Sequence, residues 1–360
     1  MTLTLPTTHE EAWRWSDLSA LPALTEERPL GGAFGISKYW IGAGPRLVFV
    51  DGIFDAALSK PEGIAMGPVA ASSDHPLGML ATDKDGWTLS LHSDHAVAAT
   101  IEIVHVSTGG ANHVPARVAL GPDAQASMVE TFVGDGWTNR LTQIGLDRSA
   151  RLMRAIRILS TSGFVSLRDE AAIGEGASLV TTVLALGGAG TRIDASATLA
   201  GDGAYAEVGG ALLGRGEQKH DAAVVVRHAA PNGTSRQLWR AVADDQAVAS
   251  MAARAEVARD AQKTDGGQSL RGLLQKRTAT VNLKPELEIF ADDVKCAHGA
   301  TVGELDARAL FYLESRGITP DRARALLTHA FVADALERIG EEAVREAFVA
   351  DADRWLEGVI

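Results

Sequence analysis

The chain has 360 residues, enough for one large domain or two to three smaller ones, and its 46% hydrophobic and 22% charged content is that of an ordinary globular protein. A formal net charge of −12 would repel a phosphate backbone, and no basic stripe interleaved with aromatics offsets it, so nucleic acid is excluded as a partner. No apolar run reaches the roughly 18–20 residues that span a bilayer, the start lacks the regions of a signal peptide, and the one cysteine, Cys296, fits a reducing compartment; a cytoplasmic protein without membrane contact is expected.

The first predicted element is a short helix within residues 6–24, where Thr7 and Thr8 precede Glu10 and Glu11 and Trp13, Trp15 and Leu18 follow. From Arg46 onward the texture changes to short apolar segments such as LVFV (47–50), broken by Gly, Asp and Asn, which reads as strands and turns. The 37 glycines exceed the typical share of about 7%, as many tight turns would require.

A repeat runs through this region. A small residue follows a polar or Gly-containing turn at Ala96, Ala124, Ala150, Ala177, Ala204, Thr234 and Ala261, at intervals of 28, 26, 27, 27, 30 and 27 residues. Each position leads out of a turn, and most lead into an apolar-rich run, so each repeat reads as one coil of a β-solenoid rather than a helical pair.

Helical punctuation begins after Leu305. Asp306 caps a predicted helix carrying Leu310, Phe311 and Leu313, and Gly317 stands where a left-handed residue ends it. Thr319 and Pro320 open a second helix with Leu326, Leu327, Ala330 and Phe331 on one side, and Gly340 stops it. A third, 341–356, places Val344, Phe348 and Trp355 at helical spacing. Three short helices carry more apolar surface than they can hide from each other, so the solenoid or a partner must cover the rest.

The chemistry-bearing segment is LEIFADDVKCAHGAT (287–301). If one strand runs through it, the period of two puts Asp292, Val294, Cys296 and His298 on one face, with Asp293 and Lys295 on the other. Thiolate and imidazole then point the same way and can both ligate iron or zinc, while Lys295 could lower the thiol pKa. As a bare C-x-H pattern this is a weak signal, which more often marks a buried Cys beside a hydrogen-bonded His than a metal site. One cysteine cannot supply the four thiolates that usually hold an iron–sulfur cluster.

The run KPELEIFADDVKCAHGATVGELD (284–306), followed by LFYLESRGI (310–318), closely resembles the C-terminal signature of the SufB/SufD family, on the SufD side by its ADDVKCAHGAT wording. AQKTDGGQSLRGLL (261–274), TSRQLWRAV (234–242) and EEAWRWSDL (10–18) are similar to the family's preceding coils and N-terminal motif. Gln275 and Lys276 replace the usual continuation after Leu273 and Leu274, and the 247–257 coil has Ala where Gly is common.

The resemblance implies a mainly β fold, a right-handed parallel β-helix (46–303) flanked by α-helical regions at the N-terminus (1–45) and C-terminus (304–360). It implies a non-catalytic scaffold that pairs with a SufB paralogue through the β-helix and with a SufC-type ABC ATPase through the C-terminal helices. The nascent iron–sulfur cluster would be held transiently at a site shared with SufB, and none would be bound tightly by the isolated chain. His298 and Cys296 are the metal-site residues it implies. The C-terminal dock would include Arg316 and the turn 317–320, and a homodimer could form when SufB is absent.

Two other readings compete. One is a plain interaction module of the same complex in which His298 only hydrogen-bonds across the contact. The other is a thiol-dependent or polysaccharide-processing β-solenoid enzyme, against which stand the lack of a nucleophile elbow or phosphate-cradling loop and an aromatic content of only 5%. GEGAS (174–178) lacks the form of a nucleotide loop and reads as a coil turn.

Overall fold

The computed structural model describes residues 4–32 and 34–358; Met1–Leu3, Ala33 and the last two residues, parts of the expected terminal regions, lie outside the described residues. Its organising feature is a left-handed backbone residue that recurs once per coil, at Asp94, Asp123, Ser149, Gly176, Gly203, Asn232 and Lys263, all with φ between 57° and 65°. Asp, Asn and Gly tolerate this region best, and each such residue reverses the chain between two strands. The turns stack. Asp123, Ser149, Gly176, Asn232 and Lys263 each donate their N–H to a carbonyl of the next turn, at Arg148, Glu175, Asp202, Gln262 and Asp293.

Seventeen strands are found among the described residues. The first coils use β1 (Arg46–Val50), β2 (Ile53–Phe54), β3 (Ala65–Pro68), β4 (Asp85–Leu91), β5 (Ile101–Leu120) and β6 (Gln125–Leu146). Regular pairs follow: β7 (Arg151–Ile158), β8 (Phe164–Ile173), β9 (Ser178–Ala185), β10 (Gly190–Leu199), β11 (Tyr205–Gly214), β12 (Lys219–His228). The last are β13 (Thr234–Ala243), β14 (Val248–Val257), β15 (Asp265–Leu274), β16 (Thr280–Ile289) and β17 (Lys295–Gly303).

Pairing is parallel throughout the regular coils and skips one strand each time. The second half of β6 with β8, β10, β12, β14 and β16 forms one face, and the first half of β6 with β7, β9, β11, β13, β15 and β17 forms the other. Antiparallel pairs occur only at the start, between β1 and β2 and between β3 and β4. The result is a β-solenoid of about seven turns with terminal helices.

Register shows where the sequence-derived repeat holds. Arg151 pairs with Ser178, Ser178 with Tyr205, Tyr205 with Thr234, Thr234 with Asp265 and Asp265 with Lys295, so the coil lengthens from 27 to about 30 residues toward the C-terminus. Ala124, Ala150, Ala177 and Ala204 are indeed equivalent, fully buried just after the left-handed residue. Their counterparts in the longer coils are Gly233 and Thr264, not Thr234 and Ala261, because the extra residues enter at the turns.

Alternation along each strand sends one side chain into the coil interior and the next outward. Leu152, Ile156, Leu167, Val183, Ile193, Val224, Trp239 and Met251 belong to the interior core. The outer side of the second face, with Val129, Ala155, Leu184, Ala211, Leu213 and Val242, is covered by the C-terminal helices through Val332, Leu336, Val344, Phe348 and Trp355. These are α3 (Ala307–Ser315), α4 (Pro320–Leu336) and α5 (Glu342–Leu356). Asp306 caps α3 through its carboxylate and Arg308 N–H at 2.9 Å, and Gly317 has φ +85°. In α4 the buried stripe is Ala323, Thr328, Val332, Ala335 and Leu336; Leu326 and Ala330, expected inward, are exposed. Docking on the solenoid rotates the buried face away from them.

The expected N-terminal helix is reduced to two short turns. The segment contains a 3-10 turn at Glu11–Trp13 and a single helical turn at Leu21–Leu24. It lies along the outer side of the first face, with Trp13, Leu18 and Leu21 packed on Leu77 and Trp137. Arg192 stacks 4.4 Å from the Trp13 ring, Ser16 bonds to Asp221, and Lys284 reaches Glu11 at 2.8 Å. These contacts to three different coils demand an extended course, which overrides the helix-start residues.

Three imidazoles, His113, His220 and His228, are held at pKa values of about 4 because burial disfavours the cation. Their folded pKa lies below the unfolded value near 6.5, so the stability they contribute is full above about pH 6.5 and is lost as pH falls toward 4. A series of urea unfolding midpoints is expected to be flat from pH 8 to 7 and to fall steadily from pH 6.5 to 4; a midpoint that holds level to pH 4 would contradict the burial.

Candidate functional site

The last coil leaves the solenoid open. β17 pairs along one edge with β15, and β16 with β14; Pro285, which has no N–H to give a further strand, is tolerated in β16 because that strand lies at an edge. Ile289, Phe290 and Val302 are exposed there at 39%, 62% and 45%, so an apolar rim surrounds the open end. Such an edge is a template for another chain.

Cys296 and His298 lie on β17, two residues apart and on the same side. That side is the interior. Gly266, the register partner of Cys296, would carry a Cβ 3.2 Å from Cys296 Sγ and 3.7 Å from the inward hydroxyl of Ser235. The next inward partner, Gln268, pairs with His298 and reaches across the lumen to the Glu286 carbonyl on the opposite face. Cys296 is half-buried and His298 exposed at the rim.

The strand expected to run from Leu287 to Thr301 is broken. β16 ends at Ile289 and β17 begins at Lys295, with residues 290–294 forming the coil turn. Asp292 and Val294 therefore do not share a strand face with Cys296 and His298. Asp293 takes part in the turn ladder, donating its N–H to Gln262 Oε1 at 3.0 Å, and Asp292 is exposed. Lys295 does not activate the thiol. Burial pushes the Cys296 thiol up, the nearby Asp265 carboxylate adds to this, and the Gly266 N–H works against both.

Side chains that the sequence reading did not single out line the lumen beneath this end. Ser235, Gly266 and Cys296 make one inward column, and Gln237, Gln268 and His298 the next. His228 Nε2 lies 2.8 Å from Ser235 Oγ. The signal was present as spacing, since 237, 268 and 298 are about one late coil apart, but it could be read only once the longer period was known.

No group of three or more His, Cys, Asp or Glu is placed to hold a metal among the described residues. Cys296 and His298 supply at most two ligands, a thiolate and an imidazole suited to iron in their chemistry but incomplete in number. A hollow of about 980 Å³ lies elsewhere, under the N-terminal segment beside Trp15, Asp17, Arg28 and Lys219, and neither histidine nor cysteine lines it among the described residues. On the helices that follow β17, Phe311, Tyr312 and Leu326 are exposed on α3 and α4 at 73%, 57% and 37%, next to Arg316, whose guanidinium lies 5.1 Å from the Tyr312 ring.

No helix among the described residues is long and apolar enough to cross a membrane. In comparison with known proteins, residues 103–331 match the family described as SUF system FeS cluster assembly, SufBD core domain. The chain is 28% identical over 340 residues to the iron–sulfur cluster assembly protein SufD of Escherichia coli (strain K12), covering 87% of this chain and 79% of that one. It is 31% identical over 238 residues to the chloroplastic protein ABCI7 of Arabidopsis thaliana, covering 64% of this chain and half of that one. With SufD of Bacillus subtilis (strain 168) it shares 30% over 156 residues, 43% of this chain and 36% of the relative.

Proposed function

This chain belongs to the SufB/SufD family of the SUF iron–sulfur cluster assembly system, and we propose that it is a non-catalytic, cytoplasmic scaffold subunit whose open last coil forms half of a cluster-building site. The observation that carries the proposal is the placement of Cys296 and His298 together, facing inward on the terminal strand of an uncapped solenoid. Two ligands at an open edge call for a second chain to bring the others. That chain is a SufB-type β-helix, and the iron–sulfur cluster is cargo, held transiently and handed on.

The division of labour follows from the surfaces. Residues 46–303 supply the β-helix and its docking edge, the segment 11–24 braces the outer side of the first face while 36–41 packs on the second, and the helices after residue 304 present an apolar patch around Phe311, Tyr312 and Arg316 to a SufC-type ATPase. Cys296 binds iron as thiolate, so loading releases its proton; burial, which pushes its pKa up, keeps the thiol protonated while the site is empty. The same edge would pair two copies of this chain when its paralogue is absent.

The test is co-expression of tagged chain with SufB and SufC proteins of the same organism, followed by sizing and by iron and sulfide analysis. A stoichiometric complex carrying a cluster is expected, and His298→Ala should leave the complex intact while iron and sulfide fall at least tenfold, the lower end of the loss expected when metal ligation is disturbed. Full cluster content in the His298→Ala complex would show that His298 serves only the contact; no complex at all would remove the scaffold role.

A further inference from the structure

Gln268 stands directly beneath His298 in the same inward column, its Cα paired in register one strand away, a spacing of about 4.8 Å. It is 5% exposed. Its amide nitrogen donates to the Glu286 carbonyl at 3.1 Å, which fixes the plane of the amide across the lumen. Its Oε1 is buried and has no hydrogen-bond partner among the described residues. One coil further in, Gln237 repeats the arrangement: 1% exposed, nitrogen on the Arg254 carbonyl at 3.0 Å, and Oε1 again unpartnered. A buried carbonyl oxygen without a donor is costly to keep. The side chain above Gln268 is an imidazole, which always carries at least one N–H.

We propose that Gln268 is a positioning residue for His298: rotation of the exposed imidazole brings one ring N–H onto the buried carbonyl, which has no other partner among the described residues, so that the other ring nitrogen keeps its lone pair and turns it toward the open end. A neutral imidazole has two tautomers, and a fixed acceptor on one nitrogen selects between them; this is how ligating histidines are commonly oriented. Gln237 backs the arrangement by holding the coil beneath in the same amide geometry. The metal-binding consequence rests on the proposed cluster site, but the hydrogen bond itself does not.

The experiment is nitrogen NMR of the full chain labelled at histidine, with the His298 ring signals identified by their loss in His298→Ala. At pH 8 the wild-type ring nitrogens are expected to show the widely separated shifts of a single tautomer. In Gln268→Met, which keeps the length but loses the acceptor, they should converge toward the tautomer average, and Gln268→Glu, which restores an acceptor, should restore the separation. If Gln268→Met does not fold, Gln268→Ser, whose hydroxyl stops short of the ring, gives the same comparison. Wild-type shifts in the acceptor-less variant overturn the proposal, whatever His298 ligates. Where the shifts do converge, the complex of the variant with its SufB and SufC partners is expected to hold iron about 10–100-fold more weakly. A cluster retained by the His298→Ala complex would sink the ligand role while leaving the Gln268 hydrogen bond standing.

Discussion

Glu130→Ala is expected to lower the stability of the fold by about 3–5 kcal/mol, the loss found when one member of a buried charge network is removed and its partners are left in place. Glu130 lies inside the solenoid lumen, 1% exposed, between Arg154 at 3.0 Å and Arg140 at 3.3 Å. Asp169 completes a square, 2.9 Å from Arg154 and 3.1 Å from Arg140. Two cations and two anions balance, which is why the lumen can hold them. His105, stacked 4.6 Å from Phe132 and 5.4 Å from Phe49, stands 3.5 Å from Glu130, and burial holds it neutral by pushing its pKa down.

Burial alone would raise the Glu130 carboxyl; the Arg140 charge, the adjacent His105 ring and the Arg154 charge overcome it and hold the group well below the usual carboxylate range. Asp169 is depressed in the same way, against its burial, by Arg154 and Arg140. Both folded pKa values lie under the unfolded ones, so this contribution is complete above about pH 4 and is lost as pH falls below it. Removing Glu130 leaves two guanidinium groups facing one carboxylate out of reach of water. Urea unfolding at pH 7 would read the loss as a lowered midpoint with an unchanged slope. Replacing all four charged residues with Met and Leu is expected to recover most of it, because well-packed apolar groups are often no worse than a buried ion network. A Glu130→Ala midpoint equal to wild type would mean that water or another group reaches the arginines.

Phe348→Ala should cost a similar amount, about 3–5 kcal/mol, but at a different place. Phe348 is fully buried where α5 meets the second face, among Val344, Ala352 and Trp355 from its own helix and Val332 and Leu336 from α4. Arg157 on β7 ties the same helix down through Asp351 at 3.0 Å, and Arg215 lies 4.2 Å from the Trp355 ring. The lumen core is separate from this layer. Hydrogen exchange is therefore expected to accelerate in α4 and α5 while the interior strands stay protected. Uniform acceleration across all strands would show instead that helices and solenoid unfold as one unit.

Much of this architecture was legible in the chain because the determinants are local. A left-handed turn needs Gly, Asn, Asp or a residue that can bear the strain, and such residues recur at Asp123, Ser149, Gly176 and Gly203 at nearly constant spacing. Asp306, Gly317 and Pro320 act on the backbone within one helical turn, so both ends of α3 and the start of α4 could be read off directly. The shared direction of Cys296 and His298 follows from strand alternation alone.

What the chain could not reveal depends on closure of the coil. Alternation separates two sides of a strand but does not say which faces the lumen; that is decided only when register stacks Gly266 on Cys296 and Gln268 on His298. The same ambiguity hid the square of Glu130, Arg140, Arg154 and Asp169, since charged residues alternating with apolar ones look like a solvated surface until two faces close over them. The N-terminal segment is the opposite case: its residues favour a helix locally, but Trp13 on Arg192 and Ser16 on Asp221 are contacts to distant coils, and together they outweigh a helical turn worth little by itself.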